Sequence, residues 1–200
     1  MKTVWVSGAS TGIGLATAKK FLNNNWKVII SSSNYEKLLL AKKQLLLKSE
    51  NKELYSYKCD ISDRNQVTET VNKITKQIGN INLAILNAAA YTPNKEQVFS
   101  IQNFEKLIDV NLKGTLFCIE SLINNMKNNQ NHIAIMASPV GYRGLPTGAA
   151  YGLTKAGLIN LAESLFFDLK KEKIKISLIN PGFIESELTK LNSFPMPFLK

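Results

Sequence analysis

Tyr151 and Lys155 stand four residues apart in Tyr151-Gly152-Leu153-Thr154-Lys155, within a stretch that reads as a helix from Gly148 to Lys171. Positions four apart on a helix are neighbours, so the phenol and the ammonium share a face. A free tyrosine, with a pKa of about 10, is a poor acid–base at neutral pH, and a nearby ammonium favours the phenolate and lowers that value. Such a pair suits the delivery of a proton to the alkoxide that forms when a carbonyl takes up hydride. Ser138, at the end of a short apolar run, can donate a hydrogen bond to the oxygen on which that charge develops. The spacing alone is weak evidence, since chance gives roughly 0.7 Tyr-x-x-x-Lys pairs in a chain of this composition. Tyr91-Thr92-Pro93-Asn94-Lys95 repeats it, but Pro93 works against a helix there, so those two side chains are not expected to share a face.

A second group of residues suits a phosphate-bearing cofactor. Ser7-Gly8-Ala9-Ser10-Thr11-Gly12-Ile13-Gly14 follows the first apolar run directly and opens a helix. Glycines there let the chain turn tightly and let a pyrophosphate approach backbone N–H groups at a helix N-terminus, where the dipole favours negative charge. The spacing is Gly-x-x-x-Gly-x-Gly, not the common dinucleotide fingerprint Gly-x-Gly-x-x-Gly. The second apolar run ends in Ser31-Ser32-Ser33-Asn34, with no carboxylate before Glu36. A carboxylate there would bind the adenosine 2′-hydroxyl of NAD. Its absence leaves nothing to repel a 2′-phosphate, which Ser32, Ser33, Asn34 and Lys37 could hold, so NADP(H) is expected in preference to NAD(H).

The elements that must position these groups alternate between short apolar strands and longer helical patterns, the rhythm of a parallel sheet wrapped by helices. Strands are expected over 4–7, 28–31, 54–58, 81–86, 132–136 and 174–179. Helices are expected from the glycine loop to Asn24, over 35–48, through Val67, Val71, Ile74 and Ile78, over 104–126 and over 148–171. Asp60-Ile61-Ser62-Asp63 supplies cap chemistry for the third helix. The fold class is α/β, a Rossmann-like, doubly wound parallel sheet in three layers, with no internal repeat and no second domain.

In this order along the chain, the motifs resemble those of the short-chain dehydrogenase/reductase family, in its compact branch. They are Gly8-x-x-x-Gly12-x-Gly14, Asp60-Ile61 after strand three, Asn87-Ala88-Ala89-Ala90 after strand four, Asn111 in the long helix, Ser138, Tyr151-x-x-x-Lys155 and Asn180-Pro181-Gly182 after strand six. The resemblance implies an oxidoreductase that interconverts a carbonyl and a secondary alcohol. It implies that Tyr151, Lys155, Ser138 and Asn111 are catalytic, with Lys155 also holding the nicotinamide ribose and Asn111 supporting a water relay to Lys155. The cofactor is implied to lie against Gly8, Ser10, Thr11, Gly12, Ile13, Gly14, Asp60, Ile61, Asn87, Ala88, Pro181, Gly182, Ile184 and Ser186. The family's usual Asn-Asn-Ala-Gly is altered here, Ala90 standing where glycine is usual, and Ser186 keeps a hydroxyl where relatives often have threonine. Two long helices pack across a dimer interface in the family, so a homodimer or homotetramer is implied if the C-terminus is complete, with Phe166-Phe167 on the Tyr151 helix belonging either to the core or to that interface. Compact members continue past Pro181-Gly182 through a lid helix, a further helix and a seventh strand. A chain of 200 residues ending at Lys200 therefore reads as one NAD(P)-binding domain, with its active site included, that is C-terminally truncated.

Composition narrows the partners. The formal net charge is +10, yet arginine occurs only at Arg64 and Arg143, and nucleic-acid readers lean on the planar guanidinium. A solvated basic surface is expected, with neither nucleic acid nor membrane as partner. No run approaches the ~18 consecutive apolar residues of a membrane helix, and the start lacks a signal peptide. Cys59 and Cys118 read as buried thiols of a cytoplasmic protein, His132 as structural, and no metal site is expected. Two rivals are a cofactor-binding sensor or scaffold without turnover, against which Tyr151 and Lys155 both stand, and an extended-type epimerase or dehydratase, disfavoured by the glycine spacing.

Overall fold

The computed structural model describes residues 1–93, 99–126, 131–192 and 195–196. Six strands, β1 (Thr3–Ser7), β2 (Lys27–Ser32), β3 (Leu54–Lys58), β4 (Leu83–Leu86), β5 (His132–Met136) and β6 (Lys175–Ile179), pair in parallel in the order β3-β2-β1-β4-β5-β6. Because side chains alternate along a strand, each buried strand feeds two cores. Val4, Val6, Val28 and Ile30 pack with Ala18, Leu22, Leu38 and Leu45, from α1 (Gly12–Asn23) and α2 (Tyr35–Lys48). On the other face, Trp5, Ile29, Ala84, Ile133 and Ile135 pack with residues of three further helices. These are Val67, Val71 and Ile74 of α3 (Arg64–Gln77), and Cys118 and Leu122 of α5 (Gly114–Met126). Leu158 of α6 (Ala149–Lys171) completes the set. Right-handed crossovers account for this division, placing the helices after β1 and β2 on one face and the later ones on the other.

The path leaves β1 towards β2 and β3, then returns to β4 on the other side of β1. At such a reversal the loops after the two central strands diverge and open a crevice at their C-terminal ends. The glycine loop after β1 and the loop after β4 meet there.

Three local departures from the expected pattern have physical causes. The long helix expected over 104–126 begins earlier, as α4 (Ile101–Leu107), and is interrupted by a π-helical turn, Ile108–Lys113, before α5. The extra residue in that turn carries Asn111 into the interior, and Thr115 Oγ1 donates to the Asn111 carbonyl at 2.7 Å. Immediately after it, Gly114 lies so close to Ile61 that a Cβ would sit 2.8 Å from Ile61 Cγ1. Strand β4 starts at Leu83, not Ile81, because Asn82 is engaged with Thr3 of β1 through both its side chain and its backbone. Strand β6 starts at Lys175, since Lys173 at φ 57° and Ile174 N–H bonded to Leu169 O still belong to the end of α6.

Candidate active site

The glycine loop is held by contacts that leave no room for side chains. Gly8 (φ 63°) and Gly12 (φ 54°) occupy left-handed backbone conformations, and a Cβ at Gly8 would lie 2.6 Å from Ala88 Cα. Gly14 faces the Gly8 carbonyl, and a Cβ there would meet Asn87 Nδ2 at 2.6 Å. The Asn87 amide donates to Ser7 O (3.1 Å) and Gly8 O (3.0 Å), while Ser7 Oγ accepts from Asn87 N and Ala88 N. These bonds fasten the loop after β4 to the loop after β1, so the Asn87 side chain braces the groove from within.

Between the two loops runs a groove of about 680 Å³, lined by Gly8, Ser10, Thr11, Gly12, Ile13, Ser32, Ser33, Asp60, Ile61, Asn87, Ala88 and Ser186 among others. The first turn of α1 faces it with no acidic residue, and Thr11, which precedes the helix, makes no side-chain cap. The free N–H groups of that turn form an anion site. A nicotinamide dinucleotide fits these residues: the pyrophosphate would lie at the N-terminus of α1, and the narrow glycine loop admits backbone approach where a Cβ would project.

At the adenosine end, Ser32 Oγ lies 3.2 Å from Ser10 Oγ, and the walls of the groove also carry the carboxylates of Asp60 and Glu187. Asn34 does not line the groove; its Oδ1 accepts from Lys37 N and caps α2, which holds the side chain at the helix start. Lys37 Nζ forms an ion pair at 2.8 Å with Glu187, a neighbour of Ser186 in the segment after β6. Asp60 is likewise engaged locally, Oδ1 accepting from the N–H and hydroxyl of Ser62.

Past the nicotinamide-side rim lies a smaller cavity of about 150 Å³ that brings together Asn87, Ser138, Tyr151, Lys155, Pro181, Gly182, Ile184 and Ser186. Ser138 ends β5 and starts a single 3₁₀ turn, Pro139–Gly141, where its Oγ accepts from Val140 N at 3.4 Å. Gly141 presses that turn onto α6, and a Cβ there would lie 2.8 Å from the Lys155 carbonyl carbon. That contact sets the distance between the strand end carrying Ser138 and the helix carrying the other two groups. Lys155 is 2% exposed, with Nζ donating to Met136 O at 2.8 Å and lying 5.4 Å from the centre of the Tyr151 ring. Burial brings the Lys155 ammonium down to about 8. Burial, with a smaller contribution from the neighbouring Tyr91, pushes the Tyr151 phenol up to about 12. The lowering of the tyrosine expected from Lys155 is not found in the protein alone, where desolvation dominates.

Asn111 is brought to the site but not to Lys155. Its Oδ1 accepts from Ala90 N (2.7 Å), and its Nδ2 donates to Ala90 O (2.9 Å) and Thr154 Oγ1 (3.3 Å). Thr154 in turn donates to Tyr151 O. The amide therefore holds the loop after β4 against α6. His132 lies at the opposite end of its strand, bonded to Ser177, and both cysteines are buried.

Sequence reasoning passed over Tyr91, Gly141, Thr154 and Glu187. Tyr91 belongs to the second Tyr-x-x-x-Lys spacing, whose Lys95 lies outside the described residues. Its position directly after the strand-four motif was the available signal; Gly141, Thr154 and Glu187 gave none, since their contacts are long-range.

A family model described as short chain dehydrogenase matches residues 2–194. The 3-oxoacyl-acyl-carrier-protein reductase FabG of Rickettsia typhi is 34% identical over 194 residues, covering 96% of this chain and 76% of the relative. An uncharacterized oxidoreductase of Staphylococcus epidermidis is 27% identical, covering 96% and 82%. The structure of ElxO with NADP bound superposes with a TM-score of 0.87 at 29% identity, covering 94% of this chain and 76% of that one.

Proposed function

The chain belongs to the short-chain dehydrogenase family, and from that premise we propose that it is an NAD(P)-dependent oxidoreductase interconverting a carbonyl and a secondary alcohol, with NADPH favoured. The observation that carries this reading is the convergence of Ser138, Tyr151 and Lys155 in one cavity beside the cofactor-sized groove. A bound nicotinamide supplies or accepts the hydride.

The chain's own residues supply the rest. The Ser138 hydroxyl, whose oxygen accepts only a long bond from Val140 N, is free to donate to the substrate oxygen and stabilise charge as it forms. Tyr151 carries the proton: in reduction its O–H bond breaks and a new O–H bond forms on the substrate oxygen, giving the alcohol. Lys155 uses one donor on Met136 O and has two left, enough to hold a ribose hydroxyl and to favour the phenolate that Tyr151 becomes. Asn111 fixes the loop that forms one wall. Ser32 and Ser33 line the 2′-phosphate end, and Lys37, outside the groove wall and paired with Glu187, is the cation next to it.

The outer faces of α5 and α6 expose Leu116, Leu153, Phe166 and Phe167, apolar side chains suited to pairing with a second copy. This supports a homo-oligomer, for which light scattering at micromolar concentration is the check. A cytoplasmic enzyme acting on a small molecule accords with the described helices, none of which is long and apolar enough to cross a membrane. The function is tested by an NADPH-coupled screen of aldehydes, ketones and 3-oxoacyl thioesters, the last suggested by the Rickettsia relative's name. Consumption of NADPH dependent on at least one carbonyl is expected. Tight NADPH binding with no turnover across the screen would support a sensor or scaffold.

A further inference from the structure

Tyr91 sits where the loop after β4, the segment after β6 and Tyr151 meet. Its ring touches that of Tyr151 edge to face, with centroids 5.1 Å apart and planes at 70°. That geometry directs the positive rim of one ring at the negative face of the other, and it restricts the rotation of both. The Tyr91 hydroxyl donates to Asn192 Oδ1 at 2.7 Å. Asn192 belongs to the segment after β6, so a single side chain joins the loop after β4 to that segment. The base of the connection is firm on the β4 side, because the carbonyl of the next residue, Thr92, accepts from Asn103 Nδ2 at 3.0 Å.

Tyr91, Tyr151, Leu145, Pro146 and Leu188 are all walls of the same 150 Å³ cavity. Beyond the hydroxyls of Ser138 and Tyr151, these walls are mainly apolar, so an uncharged carbonyl compound with a short apolar chain is the occupant they match. Resting on the oxidoreductase reading above, we propose that Tyr91 is a positioning residue. Its ring, packed edge to face with that of Tyr151, fixes the orientation of Tyr151, and its hydroxyl, tied to Asn192, closes the pocket mouth around a small apolar carbonyl compound.

Two variants separate the two parts of the proposal. Tyr91→Phe keeps the ring edge and removes the tie to Asn192. Tyr91→Leu removes both. Each is assayed with NADPH against methyl ketones from 2-butanone to 2-decanone. In parallel, the Tyr151 phenol is followed by NMR of protein carrying tyrosine labelled with ¹³C at Cζ, its resonance assigned from Tyr151→Phe. Tyr91→Phe is expected to raise KM for the shortest ketones and to shift the ratio of kcat/KM towards the long ones by about fivefold or more. Tyr91→Leu is expected to lower kcat roughly tenfold to a hundredfold throughout, as misplacement of a reacting group does. In that variant the Tyr151 resonance should titrate at lower pH than in the wild type, because solvent reaches the phenol; a merely structural role would leave the midpoint where it is. An unchanged chain-length preference in Tyr91→Phe together with an unchanged Tyr151 titration in Tyr91→Leu would overturn the proposal. A wild-type enzyme that reduces none of the ketones or the wider carbonyl screen, with the Tyr151 titration still displaced in Tyr91→Leu, counts against the oxidoreductase reading and supports the positioning of Tyr151 by Tyr91.

Discussion

The Lys155 ammonium nitrogen lies 5.4 Å from the centre of the Tyr151 ring, one helical turn along α6. Lys155 is buried and Tyr151 partly so, and in the protein alone desolvation moves their pKa values in opposite senses: it favours the neutral phenol and the neutral amine. A lysine charged in this setting is held by one carbonyl, Met136 O, with no carboxylate partner among the described residues. On the proposed function, a polar ligand and not a protein counter-ion completes the surroundings of the ammonium.

That arrangement gives stability a characteristic pH dependence. With Lys155 lowered from 10.5 to about 8, the unfolded chain binds more protons than the folded one between those values, so the lysine's cost to the fold is relieved as pH rises. Relative to Lys155→Met, the cofactor-free wild type should gain about 2 kcal/mol between pH 8 and pH 10 in urea unfolding. Tyr151, raised from 10.0 to about 12, acts with the opposite sign: its contribution is intact below pH 10 and is lost as pH climbs towards 12. A wild type and Lys155→Met that stay parallel from pH 8 to 10 would show the ammonium to be solvated.

Ser138→Ala should lower kcat about 10²-fold to 10³-fold, the scale for loss of one donor to a developing oxyanion. The fold should be little affected, since among the described residues the side-chain bond lost is the 3.4 Å contact from Val140 N. Steady-state kinetics beside a thermal melt makes the comparison. Near-normal turnover would remove Ser138 from the reaction.

Lys37→Met should reduce the preference for NADPH over NADH, measured as the ratio of kcat/KM values, by about tenfold, and the difference should shrink at high salt. Affinity for NADH should stay close to that of the wild type, because the exposed ion pair with Glu187 contributes little by itself. An unchanged ratio would place recognition of the 2′-phosphate elsewhere.

Asn111→Ala should destabilise the protein by about 1–3 kcal/mol in chemical denaturation, as it strands the N–H and carbonyl of Ala90. Activity lost beyond that expected from unfolding would reflect the loosened loop after β4. A variant as stable as the wild type would mean that water satisfies Ala90 equally well.

What was legible in the sequence depended on locality. The strands and most helices follow from hydrophobic period, and Gly8, Gly12 and Gly14 were readable because a tight turn imposes its demands on adjacent residues. Tyr151 and Lys155 share a face by helical spacing alone. The π-helical turn around Asn111 was not readable, because one inserted residue barely disturbs the apolar period of the helices on either side. Asn34 was expected at the phosphate end but caps α2, a competing use for a short amide before a helix. Tyr91 has no helix linking it to Lys95; its place against Tyr151 depends on the loop after β4 meeting the first turns of α6 in space, which no local pattern encodes.

The most direct test compares the wild type with Tyr151→Phe on any carbonyl that supports NADPH consumption, with NADPH affinity measured by fluorescence on both proteins. The expected result is a loss of kcat of about 10²-fold to 10⁴-fold, the range for removal of an acid–base group, with the NADPH Kd within about twofold of the wild type. A Tyr151→Phe protein that turns over at the wild-type rate would contradict the assignment of Tyr151 as the proton carrier.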